Sequence, residues 1–172
     1  SVHRNPDPPP DHSTRLVVTG SAIHDIDAAR WLIGDFESVS ATGRPKTDAD
    51  GIELLLIEGH HIDGGLSSIE VFVAAGYGYE VTAELVASGG TVTTLGGELA
   101  ATKHGGMRAV SYPQIWLDRF RDAYIAELGA WVRSLDGAPF PGATVEDAYL
   151  AQVVAEAVLE ALETGKRIAI AV

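Results

Sequence analysis

The sequence of 172 residues contains no cysteine, which excludes disulfides, thiolate metal sites and cysteine nucleophiles. This absence leaves the redox compartment unmarked, so the cytoplasm is the default expectation. No apolar run approaches the roughly 20 residues that a membrane-spanning helix needs, and the first residues show no signal peptide. We therefore expect a cytoplasmic protein with no membrane partner.

Basic residues are also scarce. Lys and Arg total 12 against 24 Asp and Glu, giving a formal net charge of −12. That charge repels phosphate backbones and anionic lipid, so nucleic acid is not an expected partner. Hydrophobic residues make up 46% of the chain, enough for one domain with a real core over residues 1–172. The abrupt opening at residues 1–5, which could already be strand, indicates a piece of a longer chain.

The middle of the chain alternates between apolar and polar residues. Strands are predicted over residues 36–42, 52–58, 67–75, 80–88, 91–94, 98–103 and 107–111. Short turns join them, so neighbouring strands must pair antiparallel. From residue 116 the period changes to that of a helix, which ends at 136–137. A capping box at Thr144 and Asp147 opens the next helix, and a strand over 168–172 follows. This order predicts an α+β fold, a single mostly antiparallel open-faced sheet with helices packed on one face.

The stretch over residues 19–34 concentrates polar chemistry. It is predicted to be a loop entering a helix, with Thr19 or Ser21 as N-cap and Gly34 at its end. His24 then lies in the first turn, where the positive end of the dipole favours a neutral imidazole. His24 and Asp27 share a helix face. A surface helix whose histidine only caps or packs is the other interpretation.

Two further motifs were weighed as sites. Residues 76–81 nearly match a G-x-G-x-x-G fingerprint, but the third glycine is missing and a strand pattern follows, so no dinucleotide site is predicted. The run His60-His61-Ile62-Asp63, with residues 24–27, would suit a metal and makes a metal-dependent hydrolase an alternative. Adjacent histidines point to opposite faces of a strand, however, which favours a solvated hairpin tip and no metal site.

A polar set is expected at one end of the sheet: His3, Asn5, His24, Tyr79 and Tyr124. Imidazole, amide and phenol groups can grip a neutral ligand with many hydroxyls through paired hydrogen bonds. Tyr79 and Tyr124 would otherwise be half-buried core tyrosines. The residue pattern alone favours this second interpretation, and the ligand pocket is the alternative.

Four motifs in this order resemble the Gfo/Idh/MocA oxidoreductase family, and within it the inositol 2-dehydrogenases. They are Val2-His3-Arg4-Asn5, then residues 21–27 with Arg30-Trp31-Leu32, then residues 70–73 with Tyr77-Gly78-Tyr79, then Trp116, Arg119-Phe120 and Ala123-Tyr124. The resemblance covers only the C-terminal, substrate-binding half, a domain of the dihydrodipicolinate-reductase-like type. It implies that an N-terminal Rossmann domain, with the nicotinamide site and the catalytic lysine of a Glu-Lys-Pro motif, is absent from this chain.

The resemblance also implies roles for the residues already singled out. His24 would accept the proton of the reacting hydroxyl, and His3, Asn5, Tyr79 and Tyr124 would line the polyol pocket. The full-length enzyme would use NAD or NADP, whereas this fragment would bind neither and be inactive alone. The family places an aspartate where Gly20 stands, so a catalytically impaired relative that binds sugars or serves assembly is the alternative.

Apolar residues on both faces of the predicted strands indicate self-association. Leu54 and Leu56 alternate with Leu55 and Ile57, and Phe72 lies between two valines. Such a patch usually marks an interface. We expect a homo-oligomer, a dimer or tetramer, that forms through the open face of the sheet, as the resemblance also implies.

Overall fold

The computed structural model describes residues 1–6, 12–46, 51–94 and 100–171. Its helical segments are α1 (Thr14–Leu16), a π-helical segment (Val17–Ala22), α2 (Ile23–Ile33), α3 (Trp116–Leu135) and α4 (Val145–Thr164). Its strands are β1 (Val2–Arg4), β2 (Phe36–Pro45), β3 (Ile52–His61), β4 (Leu66–Phe72), β5 (Glu80–Thr82), β6 (Glu84–Ala87), β7 (Gly90–Thr93), β8 (Ala100–His104), β9 (Met107–Ser111) and β10 (Ile168–Ala169).

Six of the described strands form the main sheet, in the order β10-β2-β3-β4-β1-β5. Strands β2, β3 and β4 pair antiparallel through short connections, as predicted. Strand β1 runs parallel to β4 and antiparallel to β5. The predicted α+β class with a mostly antiparallel sheet is confirmed.

The strands after β5 leave the main sheet. Ala83 interrupts the predicted strand 80–88, so its first half pairs with β1 and its second half pairs with β7. Strands β8 and β9 form a separate hairpin. Residues 98–99 of the predicted strand 98–103, and residue 172 of the last one, lie outside the described residues. Both hairpins therefore extend from the sheet instead of widening it.

Helices α2 and α4 cover one face of the main sheet and make its core. Alternation along β3 and β4 points every second side chain at these helices. The fully buried members of the core include Val39, Leu55, Val71 and Val73 from the sheet, with Ile26 and Val158 from the helices. Burial of such side chains supplies the main driving force for this packing.

The opposite face of the main sheet has no helix of the described chain upon it and mixes apolar with charged side chains. Leu56 is 43% exposed there, and Phe72 is half-buried under the Arg44 guanidinium, 5.9 Å from the ring centre. Arg4 pairs with Glu70 beside them. The open face that the sequence predicted is therefore present.

The first helix begins earlier than predicted. The Ser13 side chain caps it, accepting a hydrogen bond from the Leu16 amide at 3.2 Å. Because α1, the π-helical segment and α2 are continuous, neither Thr19 nor Ser21 is an N-cap. His24 lies well inside this helical run, so the predicted dipole effect on its imidazole is wrong. Gly34 does end the helix, at a φ of 116° that favours glycine.

The last two helices match their predicted limits. Thr144 and Asp147 form the predicted capping box, with the Thr144 amide donating to Asp147 Oδ2 at 2.8 Å and the Asp147 amide donating to Thr144 Oγ1 at 3.2 Å. The Thr144 hydroxyl also donates to Asp147 Oδ2 at 2.6 Å, and this bond, together with the one from the Thr144 amide, lowers the pKa of the Asp147 carboxyl. Within the described part of the chain, none of the helices has the length and apolar content to cross a bilayer.

Candidate functional site

A crevice of about 1340 Å³ opens beside β1, between the first helical run, the β6–β7 hairpin and α3. All six residues that the sequence analysis proposed for the pocket line it: His3, Asn5, Gly20, His24, Tyr79 and Tyr124. They come from four separate parts of the chain. The fold therefore brings the predicted set to one cavity.

Three buried side chains form a hydrogen-bonded chain in the wall of the crevice. Asp25 Oδ2 lies 2.9 Å from His3 Nδ1, and His3 Nε2 lies 3.2 Å from the Tyr79 hydroxyl. His3 and Asp25 are each 4% exposed and Tyr79 is 6% exposed. The second Asp25 oxygen accepts from the Ser1 hydroxyl. A carboxylate, an imidazole and a phenol are thus linked in a line that ends at the crevice.

The backbone pairing of β1 and the turn before Tyr79 fix the positions of the side chains in this hydrogen-bonded chain. In β1, His3 pairs with Val71 on one side and Val81 on the other, so its ring turns to the helix-covered side of the sheet. Tyr79 follows Gly78, whose φ is 144°. A side chain at Gly78 would be strained at that φ and would place its Cβ 3.1 Å from Tyr112 Cβ. The glycine therefore allows the turn that aims Tyr79 at His3.

Asp25 is the functional candidate that sequence reasoning missed. The sequence pattern gave Asp25 a role only as part of the run over residues 24–27 that would suit a metal. Its spacing carried the missing signal, because Asp25 lies three residues after Ala22 and four before Ala29, both buried. A carboxylate on the apolar stripe of a helix must find a hydrogen-bond donor. His3 provides that donor.

The Tyr79 hydroxyl is held in its neutral form. Burial raises its pKa to about 12, the negative charge of Asp25 and the interaction with the nearby Tyr124 phenol add to the effect, and the positive charge of Arg119 opposes it. At neutral pH the group is therefore a phenol that both donates and accepts. It is suited to recognising hydroxyl groups.

His24 differs from His3 in its surroundings. Its side chain is exposed on the crevice wall, and its ring forms no hydrogen bond with any residue that the structure describes. Asp27, expected on the same helix face, instead lies 3.7 Å from Arg30 Nη1. The His24 imidazole is thus available to a ligand.

Gly20 lies in the π-helical segment, one turn before His24. Such widened turns occur frequently at functional sites. A Cβ at Gly20 would lie 3.1 Å from Leu16 Cδ1, and Leu16 is a flexible side chain that is 40% exposed. A side chain at this position would therefore fit after a small shift of Leu16.

Asn5 and Tyr124 complete the polar part of the wall. The Asn5 backbone N–H donates to Phe72 O at 2.9 Å, and its backbone carbonyl accepts from the Ala75 N–H at 3.1 Å. These two bonds fix the residue just beyond β1. Tyr124 is 43% exposed. Trp31, from the second of the motifs that carry the resemblance, is 84% exposed and also lines the crevice.

The histidine pair at the end of β3 does not form a solvated tip. His61 is 1% exposed, with Nδ1 2.6 Å from Gly34 O and Nε2 3.0 Å from Ser67 Oγ. His60 Nε2 lies 3.1 Å from Glu58 Oε1. Across the described ranges no three His, Asp or Glu side chains gather in a way that could hold a metal ion. The hydrolase alternative thus has no metal site among these residues.

The glycines at 76 and 78 do not form a dinucleotide site. They lie in the turn after β4, and the next element is strand β5, not a helix whose N-terminus could hold phosphate. This turn therefore lacks the helix N-terminus on which the dinucleotide-binding fingerprint depends.

Comparison with known proteins places the fold in an oxidoreductase class. Residues 10–170 match the C-terminal alpha/beta domain of the Gfo/Idh/MocA oxidoreductase family. The chain belongs to this family.

Several known proteins are similar over nearly the whole chain. Inositol 2-dehydrogenase 2 of Saccharopolyspora erythraea is 38% identical, over 96% of this chain and 50% of that protein. Inositol 2-dehydrogenase of Rubrobacter xylanophilus is also 38% identical, over 95% of this chain and 48% of that protein. The crystal structure of myo-inositol dehydrogenase from Lactobacillus casei, with NAD(H) and myo-inositol, shares the fold at a TM-score of 0.90 and 24% identity, over 99% of this chain and 52% of that one. The chain spans about half the length of the curated relatives it matches.

Proposed function

We propose that this chain is the substrate-binding half of an NAD(P)-dependent oxidoreductase that oxidises a hydroxyl of a polyol or sugar, as in the inositol 2-dehydrogenases. The observation that carries this proposal is the crevice that collects an exposed imidazole, two phenols and an amide. Residues 1–172 form one substrate-binding and oligomerisation domain. A Rossmann domain in another part of the full-length protein holds NAD or NADP, and the isolated chain binds neither and has no activity.

His24 accepts the proton in this reaction. Oxidation of a secondary alcohol removes the O–H proton and transfers the C–H hydrogen as hydride, leaving a carbonyl. The nicotinamide ring takes the hydride when it is bound. The exposed His24 ring, free of hydrogen bonds to the described residues, takes the proton, which is the task of a general base.

The remaining pocket residues hold the other hydroxyls. Asn5, Tyr79 and Tyr124 offer one amide and two phenols to the crevice, and His3 acts from behind Tyr79. A neutral ligand with several hydroxyls pairs with such groups without leaving a buried charge unpaired. A small polyol or pyranose has this chemistry.

The test is oxidation of a panel of inositols, acyclic polyols and pyranoses by the full-length protein, followed as NADH or NADPH absorbance. The proposal expects turnover of at least one cyclic polyol or pyranose with one of the two nucleotides. Simple monoalcohols of matched size serve as the control and should not react. Turnover of the monoalcohols with none of the polyols would overturn the proposal.

Gly20 favours a second candidate, a relative that binds sugars or serves assembly without turnover. The family aspartate is missing there, so one charge-assisted hydrogen bond to the reacting hydroxyls is lost. Titration calorimetry of the same panel separates the two candidates. Saturable polyol binding without any NAD(P)H formation supports the second, and turnover supports the first.

A further inference from the structure

We propose that Asp25 is a positioning residue that acts through His3 to orient the hydroxyl of Tyr79. Tyr79 then presents its oxygen lone pair, not its proton, to the crevice. This inference rests on the proposed function, because it specifies what a ligand hydroxyl must do at that site. Asp25 itself touches no ligand.

The direction of the two hydrogen bonds that link Asp25, His3 and Tyr79 follows from Asp25, which cannot donate. An ionised carboxylate only accepts, so His3 Nδ1 carries the proton shared with Asp25 Oδ2 across 2.9 Å. In a neutral imidazole the other nitrogen is then an acceptor. His3 Nε2 therefore accepts a hydrogen bond from the Tyr79 hydroxyl across 3.2 Å. The second carboxylate oxygen is occupied by the Ser1 hydroxyl.

Burial strengthens the hydrogen bonds that hold the Tyr79 hydroxyl in this orientation. His3 and Asp25 are each 4% exposed, so water does not compete for their hydrogen bonds. The neighbours whose charges act on Tyr79 from the other elements are Tyr124 and Arg119 on α3. Both of these residues line the crevice.

The consequence is a specificity rule. With its proton directed at His3, the Tyr79 oxygen can only accept from a ligand, so the ligand must donate a hydroxyl proton there. A fluorine in place of that hydroxyl has a similar size but cannot donate. The site should reject this analogue, because it leaves the buried phenol oxygen without its donor.

The first experiment measures the His3 tautomer directly. In the full-length protein with ring-labelled histidine, nitrogen–proton NMR correlations report which ring nitrogen carries the proton, and loss of the signals in His3→Phe assigns them. The proposal expects the proton on Nδ1. A proton on Nε2, alone or together with one on Nδ1, would overturn it. This readout does not depend on turnover, so it stands apart from failure of the proposed function.

The second experiment changes the acceptor. Asp25→Leu removes the partner of Nδ1 at similar volume, so the His3 proton should move toward Nε2. Discrimination between the best polyol and its singly fluorinated analogues, at least about tenfold at one position in the wild type, should then fall to about threefold or less. Asp27→Leu, two residues on and paired with Arg30, is the matched control and should keep the wild-type ratio.

Unchanged discrimination and an unchanged His3 tautomer in a folded Asp25→Leu protein would contradict a positioning role. If that variant does not fold, Tyr79→Phe tests the same rule. It removes the acceptor oxygen and should abolish the preference at the same fluorinated position. A preference that survives in Tyr79→Phe would overturn the proposal.

Discussion

The two histidines on the crevice wall have opposite surroundings. His3 is buried, and each of its ring nitrogens has a protein partner, Asp25 on one side and Tyr79 on the other. His24 is exposed, and its ring has no hydrogen bond within the described chain. A fully satisfied imidazole stabilises and orients, whereas an open one is available for proton transfer. The same residue type thus serves structure on one wall and, we propose, chemistry on the other.

The largest effect is expected from removing the open imidazole. His24→Ala in the full-length protein should lower kcat by about 10² to 10⁴-fold, because a positioned general base contributes that much. The measurement is steady-state oxidation of the best polyol across pH. His60→Ala, on the other face of the sheet, is the matched control and should stay within about twofold. Equal losses in both variants would remove the distinction between the histidines.

The next effect concerns the helical turn before His24. Gly20→Asp should raise kcat/KM for a cyclic polyol or pyranose at least about tenfold, equivalent to ~1.4 kcal/mol of transition-state binding. The added carboxylate would grip the reacting hydroxyls, and the space beside Leu16 admits it. Kinetics on the polyol panel measure the change.

The double variant tests whether the two positions act together. His24→Ala placed in the Gly20→Asp background should abolish the gain, since the acid does not replace the imidazole. If the wild-type protein already oxidises myo-inositol rapidly and Gly20→Asp brings no gain, the glycine at position 20 does not lower the activity.

The two faces of the sheet give a second comparison. We expect the full-length protein to be a dimer or tetramer through the open face, so light scattering should give at least about twice the subunit mass. Leu56→Arg, on that face and 43% exposed, should lower the mass. Ile62→Arg, in the β3–β4 turn and 68% exposed, is the control and should not. A wild-type monomer at tens of micromolar would contradict the expectation.

The smallest effect is a pH dependence of stability. Tyr79 has a pKa of about 12 in the folded chain against about 10 when unfolded. The folded state therefore keeps its proton at a pH where the unfolded state has lost it, and stability falls as pH rises from about 10 to 12. Urea unfolding across this range should show a shallower loss in Tyr79→Phe than in the wild type. Tyr149→Phe is the exposed control, and an identical slope in all three would contradict this.

The sequence was informative where local rules and packing agree. The limits of α3 and α4 and the capping box at Thr144 were predicted, because hydrophobic period, cap residues and Gly165 all point to the same ends. The pairing of β3 with β4 followed from the short turn between them. The family resemblance then supplied the pocket residues, and the structure brings them to one crevice.

Predictions failed where a distant contact overrides a local signal. Thr19 and Ser21 resemble caps, but Ser13 begins the helix and a π-helical segment carries it through. His61 resembles a turn residue, yet Gly34 and Ser67 satisfy both its nitrogens in the core. Such partners are far apart in sequence, so spacing alone does not reveal them.

Apolar surface on α3 shows the same limit. Its helical period was predicted, but Ala130 is the one buried residue of this fully described helix. Leu128 and Trp131 remain 60% and 53% exposed. Hydrophobic period predicts that a helix has an apolar face, and it does not predict what covers that face.

The most direct test of the division between the two histidines is a crystal structure of the full-length protein with its nucleotide and the best polyol. The account predicts the reacting hydroxyl within roughly 2.6–3.2 Å of a His24 ring nitrogen, and a second hydroxyl bonded to the Tyr79 oxygen. His3 should remain bonded to Asp25 and Tyr79. A polyol whose reacting hydroxyl lies against His3, with His24 turned away from the ligand, would contradict it.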